Sequence, residues 1–527
     1  MALARWAATV GGYTMGSRVL GFLRDILIAS VLGAGPVADA FFVAFKLPNF
    51  LRRLFAEGAF NAAFVPLFAG TLERDGREAA KSFAEDVLTV LLWALLVLVV
   101  VAQIVMPWLM HALAPGFADE PGKLELTVQL TRLTFPYILL ISLVSLLGGV
   151  LNSLYRFAAV AATPILLNLC LIGALLGLAR WTETPGHALA VGVTAGGIVQ
   201  FVWLVVAASR AGMSLRLRWP RLTPGVKRLL ILAAPAALGA GVAQINLVVD
   251  IIIASLLPPG SVSFLYYADR VNQLPLGVVG VAVGTALLPL LSRQLRAGEA
   301  EEAVGSLNRA IEMALLLAVP AAAALIVIAG PVVAVLFERG AFGASESSAT
   351  AGALVAYAAG LPAFVLIKVL APGYFARQDT KTPVRIAILC LVVNVVLNLA
   401  LMGPLAHVGI ALATTLAGWL NVGLLAAGLA RRGFLKPDLR LKRRLPRMVV
   451  AAAGMAALLW AVALGLEGPL EMAGFRIAAL AAIVVAGLLG YGAIAAGLGA
   501  VSLGEMRALL GRRRQGQEAC ALSRIPW

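Results

Sequence analysis

Charge is scarce in this chain, and acid scarcer than base. Asp, Glu, Lys and Arg make up only 13% of the 527 residues, with 26 acids against 42 bases and a net charge of +16. A soluble domain carries about 25% charged residues, so a water-facing globule is excluded. Cysteine is nearly missing too. Cys170 and Cys390 stand alone in apolar runs and Cys520 lies near the end, which excludes a disulfide framework and a thiolate metal site. The three histidines, His111, His187 and His407, are scattered without metal-ligand spacing. No GK[ST] phosphate loop, HExxH, CxxC or nucleophile elbow occurs, which argues against an embedded transferase or hydrolase. Long soluble loops are lacking as well.

What remains is apolar: 61% of the residues, with a mean hydropathy of +0.95. At roughly 20 residues per crossing this predicts an all-α polytopic membrane protein of about fourteen transmembrane helices. The first apolar segment holds arginines and leads straight into a second, so it reads as a retained span and not a cleaved signal. Prolines 48, 66, 136, 235, 275, 289, 320 and 362 inside the spans predict kinks. Basic residues gather on alternate loops, from Arg74, Arg77 and Lys81 through the linker 211–225 to Arg431–Arg447, and the other loops carry few. That asymmetry puts both termini in the cytoplasm. It also accounts for most of the positive charge, so no nucleic-acid partner is expected. The tail 504–527 reads as a basic amphipathic helix on the inner leaflet.

The chain repeats itself. Asp25-Ile-Leu-Ile-Ala-Ser30 echoes Asp250-Ile-Ile-Ile-Ala-Ser255, Ala-Phe-Val-Pro66-Leu echoes Ala-Leu-Leu-Pro289-Leu, and Thr163-Pro164 echoes Thr382-Pro383. The offset of about 220–227 residues spans six helices, an even number, so the two copies are parallel. The expected organisation is an N-lobe (1–210), the basic linker (211–225), a C-lobe (226–432), two further helices (433–503) and the tail (504–527). Repeated lobes favour an alternating-access transporter with its site between them.

The stretch 16–66 is organised around charges that a lipid-facing helix cannot hold. Arg18, Arg24, Asp25, Asp39, Lys46, Arg52, Arg53 and Glu57 fall on two apolar helices joined at Gly33-Ala34-Gly35-Pro36. Each charge at the bilayer centre costs about 2.5–3.5 kcal/mol, so these residues line a wet interior or one another. Asp269-Arg270 follows in the second lobe, beside Ser263, Tyr266 and Tyr267, with Lys368 further on. Converging arginines suit a diphosphate or another multiply anionic group, because guanidinium donates in bidentate fashion. Asp25, Asp39, Glu57 and Asp269 then hold the arginines or form gating pairs; an internal ion-pair network that only locks the lobes is the plainer reading. Asp250, a lone acid in its helix, with Asn394, Asn398 and Thr414, offers hard oxygen ligands for sodium, or a proton site. Interhelical hydrogen bonding by buried amides is the alternative there.

The string Ser17-Arg18-Val-Leu-Gly21-Phe-Leu-Arg24-Asp25, then Asp39-Ala-Phe-Phe-Val-Ala-Phe-Lys46-Leu-Pro48-Asn49 and Leu-Arg52-Arg53-Leu-Phe-Ala-Glu57-Gly58, closely resembles the MurJ (MviN) family of bacterial lipid II flippases. The likeness covers nearly the whole length. It implies a MATE-like fold and transport of undecaprenyl-diphosphate disaccharide-pentapeptide from the inner to the outer leaflet of the inner membrane. Arg18, Arg24, Arg52 and Arg270 match positions that the family uses for the diphosphate headgroup. Asp39, Glu57 and Asp269 match its essential acids, and the last two helices its groove for the lipid tail. Family members can carry an acid on the eleventh helix, where this chain has Asn394 and Asn398. The resemblance implies no cofactor beyond Na+ or H+ coupling and the membrane potential. The implied partners are lipid II, membrane lipids and other cell-wall synthesis proteins. A MATE-type drug antiporter would need an acidic or apolar cavity, and a flippase for another polyprenyl-diphosphate oligosaccharide would suit the same arginines.

Overall fold

A computed structural model describes residues 2–52, 60–472 and 474–500. The chain runs α1 (Ala2–Leu32), α2 (Pro36–Leu51), α3 (Phe60–Leu113), α4 (Lys123–Thr134), α5 (Tyr137–Ser153), α6 (Phe157–Ala161), α7 (Thr163–Leu178), α8 (Pro185–Arg210) and α9 (Pro224–Ser255). It continues with α10 (Ser261–Arg296), α11 (Ala300–Val327), α12 (Ala329–Phe337), α13 (Ala344–Phe375), α14 (Lys381–Arg431), α15 (Leu439–Gly465), α16 (Glu467–Glu471) and α17 (Arg476–Gly497). Among the described residues the one β-bridge joins Arg339 and Phe342, and residues 213–223 form the longest irregular stretch. Nine helical stretches among the described residues are long and apolar enough to cross a membrane.

Two of these, α3 and α14, are 54 and 51 residues long, enough for two crossings each. Each contains one break, at Gly76 (φ +83°) and at Ala406 (φ +46°). The basic stretch around Arg74 and Lys81, which hydropathy reads as a loop, is therefore helix on both sides of Gly76. The turn expected at Gly33-Ala34-Gly35-Pro36 separates α1 from α2 as its residues dictate, with Gly33 at φ +67° and proline at the first position of α2.

The backbone forms two compact units. One takes Met1–Tyr267, Phe337–Ala349 and Leu397–Ile410. Its interior is aromatic: Phe41, Phe42, Tyr137, Tyr267, Phe337 and Phe342 are all buried. The other takes Ala268–Leu336, Thr350–Val396 and the described residues from Ala411 onward. Its core is aliphatic, with Leu307, Ala314 and Ala318 of α11 in one cluster with Val369 of α13, Leu429 of α14 and Met448 of α15. Small residues on α11 allow the close approach that drives helix association where lipid removes the hydrophobic difference.

Seven of the eight prolines expected within spans do lie inside helices; Pro136 instead separates α4 from α5. A proline leaves the carbonyl four residues earlier without its amide partner, and in a bilayer that vacancy must be filled by protein. Thr134 Oγ1 donates to Ala44 O (3.2 Å), the carbonyl that Pro48 frees. Pro107 and Pro136 free the carbonyls of Gln103 and Arg132, and these two residues satisfy each other. Arg132 Nε donates to Gln103 O (3.2 Å) and Gln103 Nε2 to Arg132 O (2.8 Å). In the second unit Tyr491 Oη donates to Leu316 O (3.0 Å), freed by Pro320.

Candidate functional site

The charged helices of the first unit meet at the ends of α1, α2 and α10. Phe42 of α2 stacks on Tyr266 of α10, with ring centroids 3.9 Å apart, and Tyr267 presents its edge to Phe42. Tyr267 Oη donates to Gly33 O (3.1 Å), so α10 holds the α1–α2 turn by its backbone. The turn after α12 closes on the same place. Ala341 N donates to Ser30 O (2.8 Å), and Gly340 (φ +62°) lies so close that a Cβ there would stand 2.2 Å from Ser30 O.

Two acids sit in this packing. Asp25 is 2% exposed and Arg24 8%. Arg24 donates to Asp25 Oδ1 from Nε (3.0 Å) and Nη2 (2.7 Å), and Tyr266 Oη adds a third donor (3.2 Å). The remaining arm of Arg24, Nη1, reaches Asn168 Oδ1 on α7 (2.9 Å), and Asn168 Nδ2 is anchored to Ser17 O (3.1 Å). Asp39, 1% exposed, takes four donors: Gly260 N (2.7 Å), Ser263 N (3.0 Å), Ser263 Oγ (2.6 Å) and Lys123 Nζ (3.1 Å). Gly260 and Ser263 open α10, so a carboxylate on α2 serves as the N-cap of another helix and faces the positive end of its dipole. Lys123 is 3% exposed, also bonds Glu120 Oε1 (2.9 Å), and lies over the Phe117 ring at 4.1 Å. A buried acid so fully satisfied is stable only in this arrangement, since each donor that moves away strands a charge.

The other sequence candidates are placed as follows. Arg18 is exposed, Lys46 and Arg52 are half-buried on α2 and its end, and Arg53 and Glu57 lie outside the described residues. In the second unit Asp269 accepts from Gln273 Nε2, Arg270 is half-buried and Lys368 is exposed. Ser263 and Tyr266, which the sequence sets beside Asp269-Arg270, give their hydroxyls to Asp39 and Asp25 instead.

Cation candidates bond to one another within each unit. In the first unit Asp250 accepts from Asn398 Nδ2 (3.0 Å) and Asn246 Nδ2 (3.3 Å). In the second, Asn394 Nδ2 stands 3.5 Å from Thr414 Oγ1, at the limit of a hydrogen bond. Among the described residues no group of three or more His, Cys, Asp or Glu could hold a metal ion.

Sequence reasoning missed Lys123, which it counts as a stray charge of a weakly basic loop, and Glu312. Glu312 of α11 is 6% exposed and bonded by Arg440 (Nε to Oε2, 3.0 Å), by Arg309 (3.3 Å) and by Arg444. The one signal was an acid at the mouth of an apolar run, three residues after an arginine. Part of the basic linker is also used. Arg218 pairs with Glu85 (2.5 Å), and Arg216 N donates to Glu85 Oε1 (3.1 Å).

Buried ion pairs between helices and a helical, span-rich chain define a polytopic membrane protein, and its fold is MATE-like. A multidrug MATE transporter in an inward-facing conformation superimposes with a TM-score of 0.66 over 81% of this chain and 98% of its own, at 14% identity. The chain belongs to the MurJ family. The family model described as "Lipid II flippase MurJ" matches residues 28–468. A probable lipid II flippase MurJ of Rhizobium meliloti (strain 1021) is 48% identical over 516 residues, 96% of each chain. Its counterpart in Rhizobium tropici is 44% identical over 524 residues, 98% of each. A solved structure, "Lipid II flippase MurJ, inward closed conformation", matches with a TM-score of 0.76 at 25% identity, covering 92% of this chain and 98% of that one. The protein is a multi-pass membrane transporter and not an enzyme.

Proposed function

We propose that this chain moves lipid II, the undecaprenyl-diphosphate-linked disaccharide-pentapeptide, from the inner to the outer leaflet of the bacterial inner membrane by alternating access. The observation that carries this is the match to relatives of that name along nearly the full length, at 48% identity for the relative from Rhizobium meliloti. In this reading the lobes 1–210 and 226–432 open alternately to the two sides. Arg18, Arg24, Lys46, Arg52, Arg53 and Arg270 receive the diphosphate and headgroup. Asp25, Asp39, Glu57 and Asp269 hold the cations in place when no substrate is present and exchange partners during the cycle. Helices in 433–503 hold the lipid tail, and both termini are cytoplasmic.

The physical step is a change of partner. Arg24 spends its donors on Asp25 and Asn168 here; a diphosphate offers oxygens of higher charge and the same bidentate geometry, so it competes for them. Capture neutralises repulsion among the arginines, and the state that binds substrate better gains population only by that difference. Opening on the other side requires Asp39 to give up the amide groups of α10. Asp250, Asn394, Asn398 and Thr414 are the residues through which sodium or a proton, with the membrane potential, would bias the cycle.

The test is complementation in cells depleted of their own flippase, with membrane insertion followed by fluorescence of a C-terminal fusion. The wild-type chain restores growth. Inserted Arg24→Ala and Arg270→Ala variants do not, and the Lys variants do so only partly. Full rescue by the Ala variants would make the arginines structural and overturn their assigned role.

A further inference from the structure

The end of α5 carries a conformational outlier. Arg156 N donates to Leu151 O (2.9 Å) and Tyr155 N to Asn152 O (3.0 Å), the paired bonds of a Schellman end, with Tyr155 in the left-handed position at φ +59°. Glycine usually fills that position, and a bulky ring there is strained. Tyr155 is 66% exposed, and Tyr155 and Arg156 both line a groove of about 440 Å³, a size in the range of ligand sites. Across the groove α8 lays Trp203, Val206, Ala207 and Arg210 on one stripe, at three- and four-residue spacing. Trp203 is fixed by Nε1 donating to Ala159 O (3.0 Å). Arg156 and Arg210 both line the groove, and among the described residues neither guanidinium has a hydrogen-bond or ion-pair partner.

The second copy of the repeat shows what such an end looks like when it is closed. Gln378 takes the left-handed position (φ +61°), and Asp379 follows it as Arg156 follows Tyr155. Asp379 pairs with Arg432 (2.6 Å) and accepts from Thr382 N (3.0 Å) and Oγ1 (2.7 Å). Arg156 with Asp379, and Arg210 with Arg432, fall within the offset of about 220–227 residues that relates the copies. Where one copy has an acid and a base bonded together, the other has two bases and no acid.

Along α8 the groove runs from Arg210 to Trp203, about 10 Å away, and its lining holds two cations, three aromatic side chains (Tyr155, Phe157 and Trp203) and aliphatic ones. An anionic phospholipid has the same profile of phosphate, glycerol ester and acyl chain, and Tyr and Trp favour the ester level. We propose that this groove binds the headgroup phosphate of an anionic phospholipid from the leaflet on the basic side of the chain, with Arg156 and Arg210 as its two ligands.

The test uses the full chain reconstituted with phosphatidylglycerol or phosphatidylcholine brominated near the headgroup. The Trp203 contribution is isolated by subtracting the quenching of Trp203→Phe. Quenching at Trp203 is expected to be several-fold stronger with the brominated anionic lipid. Arg156→Gln/Arg210→Gln should abolish the preference and Arg156→Lys/Arg210→Lys should keep most of it. Retention of phosphatidylglycerol adducts in native mass spectrometry, wild type against the double Gln variant, gives an independent reading that needs no tryptophan change. Equal quenching by the two lipids, or a preference unchanged in the double Gln variant, overturns the proposal. Loss of the preference in excess inorganic phosphate would assign the groove to a soluble anion and overturn it too.

Discussion

Asp39 of the first unit and Glu312 of the second are both deeply buried carboxylates held by several donors, but the donors differ in kind. Asp39 is bonded by two backbone amides, a hydroxyl and one ammonium, all nearly sealed from solvent. Glu312 is bonded by three guanidinium groups whose side chains are 50%, 37% and 16% exposed. Backbone donors cannot be exchanged without moving α10, so Asp39 is tied to a conformation. Guanidinium donors on flexible stems can follow the acid, so Glu312 ties α15 to α11 and tolerates adjustment. By this comparison Asp39 suits a contact that must break during a cycle, and Glu312 one that persists.

The largest effect should come from Asp39→Ala. It takes from buried Lys123 the more buried of its two carboxylate partners and uncaps α10, a loss of about 3–5 kcal/mol for a broken buried pair. The inserted variant should fail in complementation, and its thermal unfolding in detergent should show a markedly lower midpoint. Asp39→Asn keeps an acceptor for Ser263 and should fall between. Were Asp39→Ala to unfold like wild type, the cap would be incidental and the comparison would collapse. Glu312→Gln comes next, at about 1–3 kcal/mol once solvent screening of its arginines is allowed for. Its signature should be faster proteolysis around Arg440–Arg444 with transport largely kept. Complete loss of transport with an unchanged midpoint would put Glu312 in the cycle and sink the distinction.

The difference between the two acids also marks how far the sequence could be read. Hydropathy and the cost of intramembrane charge single out Arg24, Asp25 and Asp39, because composition alone forbids them to face lipid. The α1–α2 turn is legible because Gly33 and Pro36 serve backbone needs that few other residues meet. The partners are not legible. Lys123 stands 84 positions from Asp39 and reads as a loop charge, and Ser263 lies 224 positions away. Nothing local distinguishes a lysine that will be buried from one that faces water. Glu312 carries only a weak signal for the opposite reason: its partners Arg440 and Arg444 sit in a basic segment that topology alone already explains. The proline carbonyls show the same limit. Pro107 and Pro136 announce that two carbonyls are freed, but that Gln103 and Arg132 serve each other follows only from the packing of α3 beside α4.

Single donors give smaller effects and sharpen the contrast. Lys123→Met leaves Asp39 its three neutral donors, and Arg440→Gln leaves Glu312 two guanidiniums. The first should lower the unfolding midpoint more than the second, because Lys123 is 3% exposed and Arg440 is a half-open surface contact worth about 0.5–1 kcal/mol. Equal shifts would mean that burial does not separate the two sites.

The smallest effect is expected at Asp379, in the turn between α13 and α14, where both kinds of donor meet. The Thr382 amide, then the Arg432 guanidinium and the Thr382 hydroxyl, hold its carboxyl well below the usual carboxylate range. A carboxyl that is more acidic in the folded chain stabilises it most when ionised in both states. That contribution is therefore complete above the unfolded value of about 4 and fades as pH falls from there toward the folded value. Wild type should lose thermal midpoint slightly faster than Asp379→Asn on acidification below about pH 4, with the two curves parallel above it. Because the turn is open to water the gap should be small and should shrink with added salt. Parallel curves throughout would mean that its donors favour the acid and the ionised form alike. Asp379 would then not share the mechanism that holds Asp39 and Glu312.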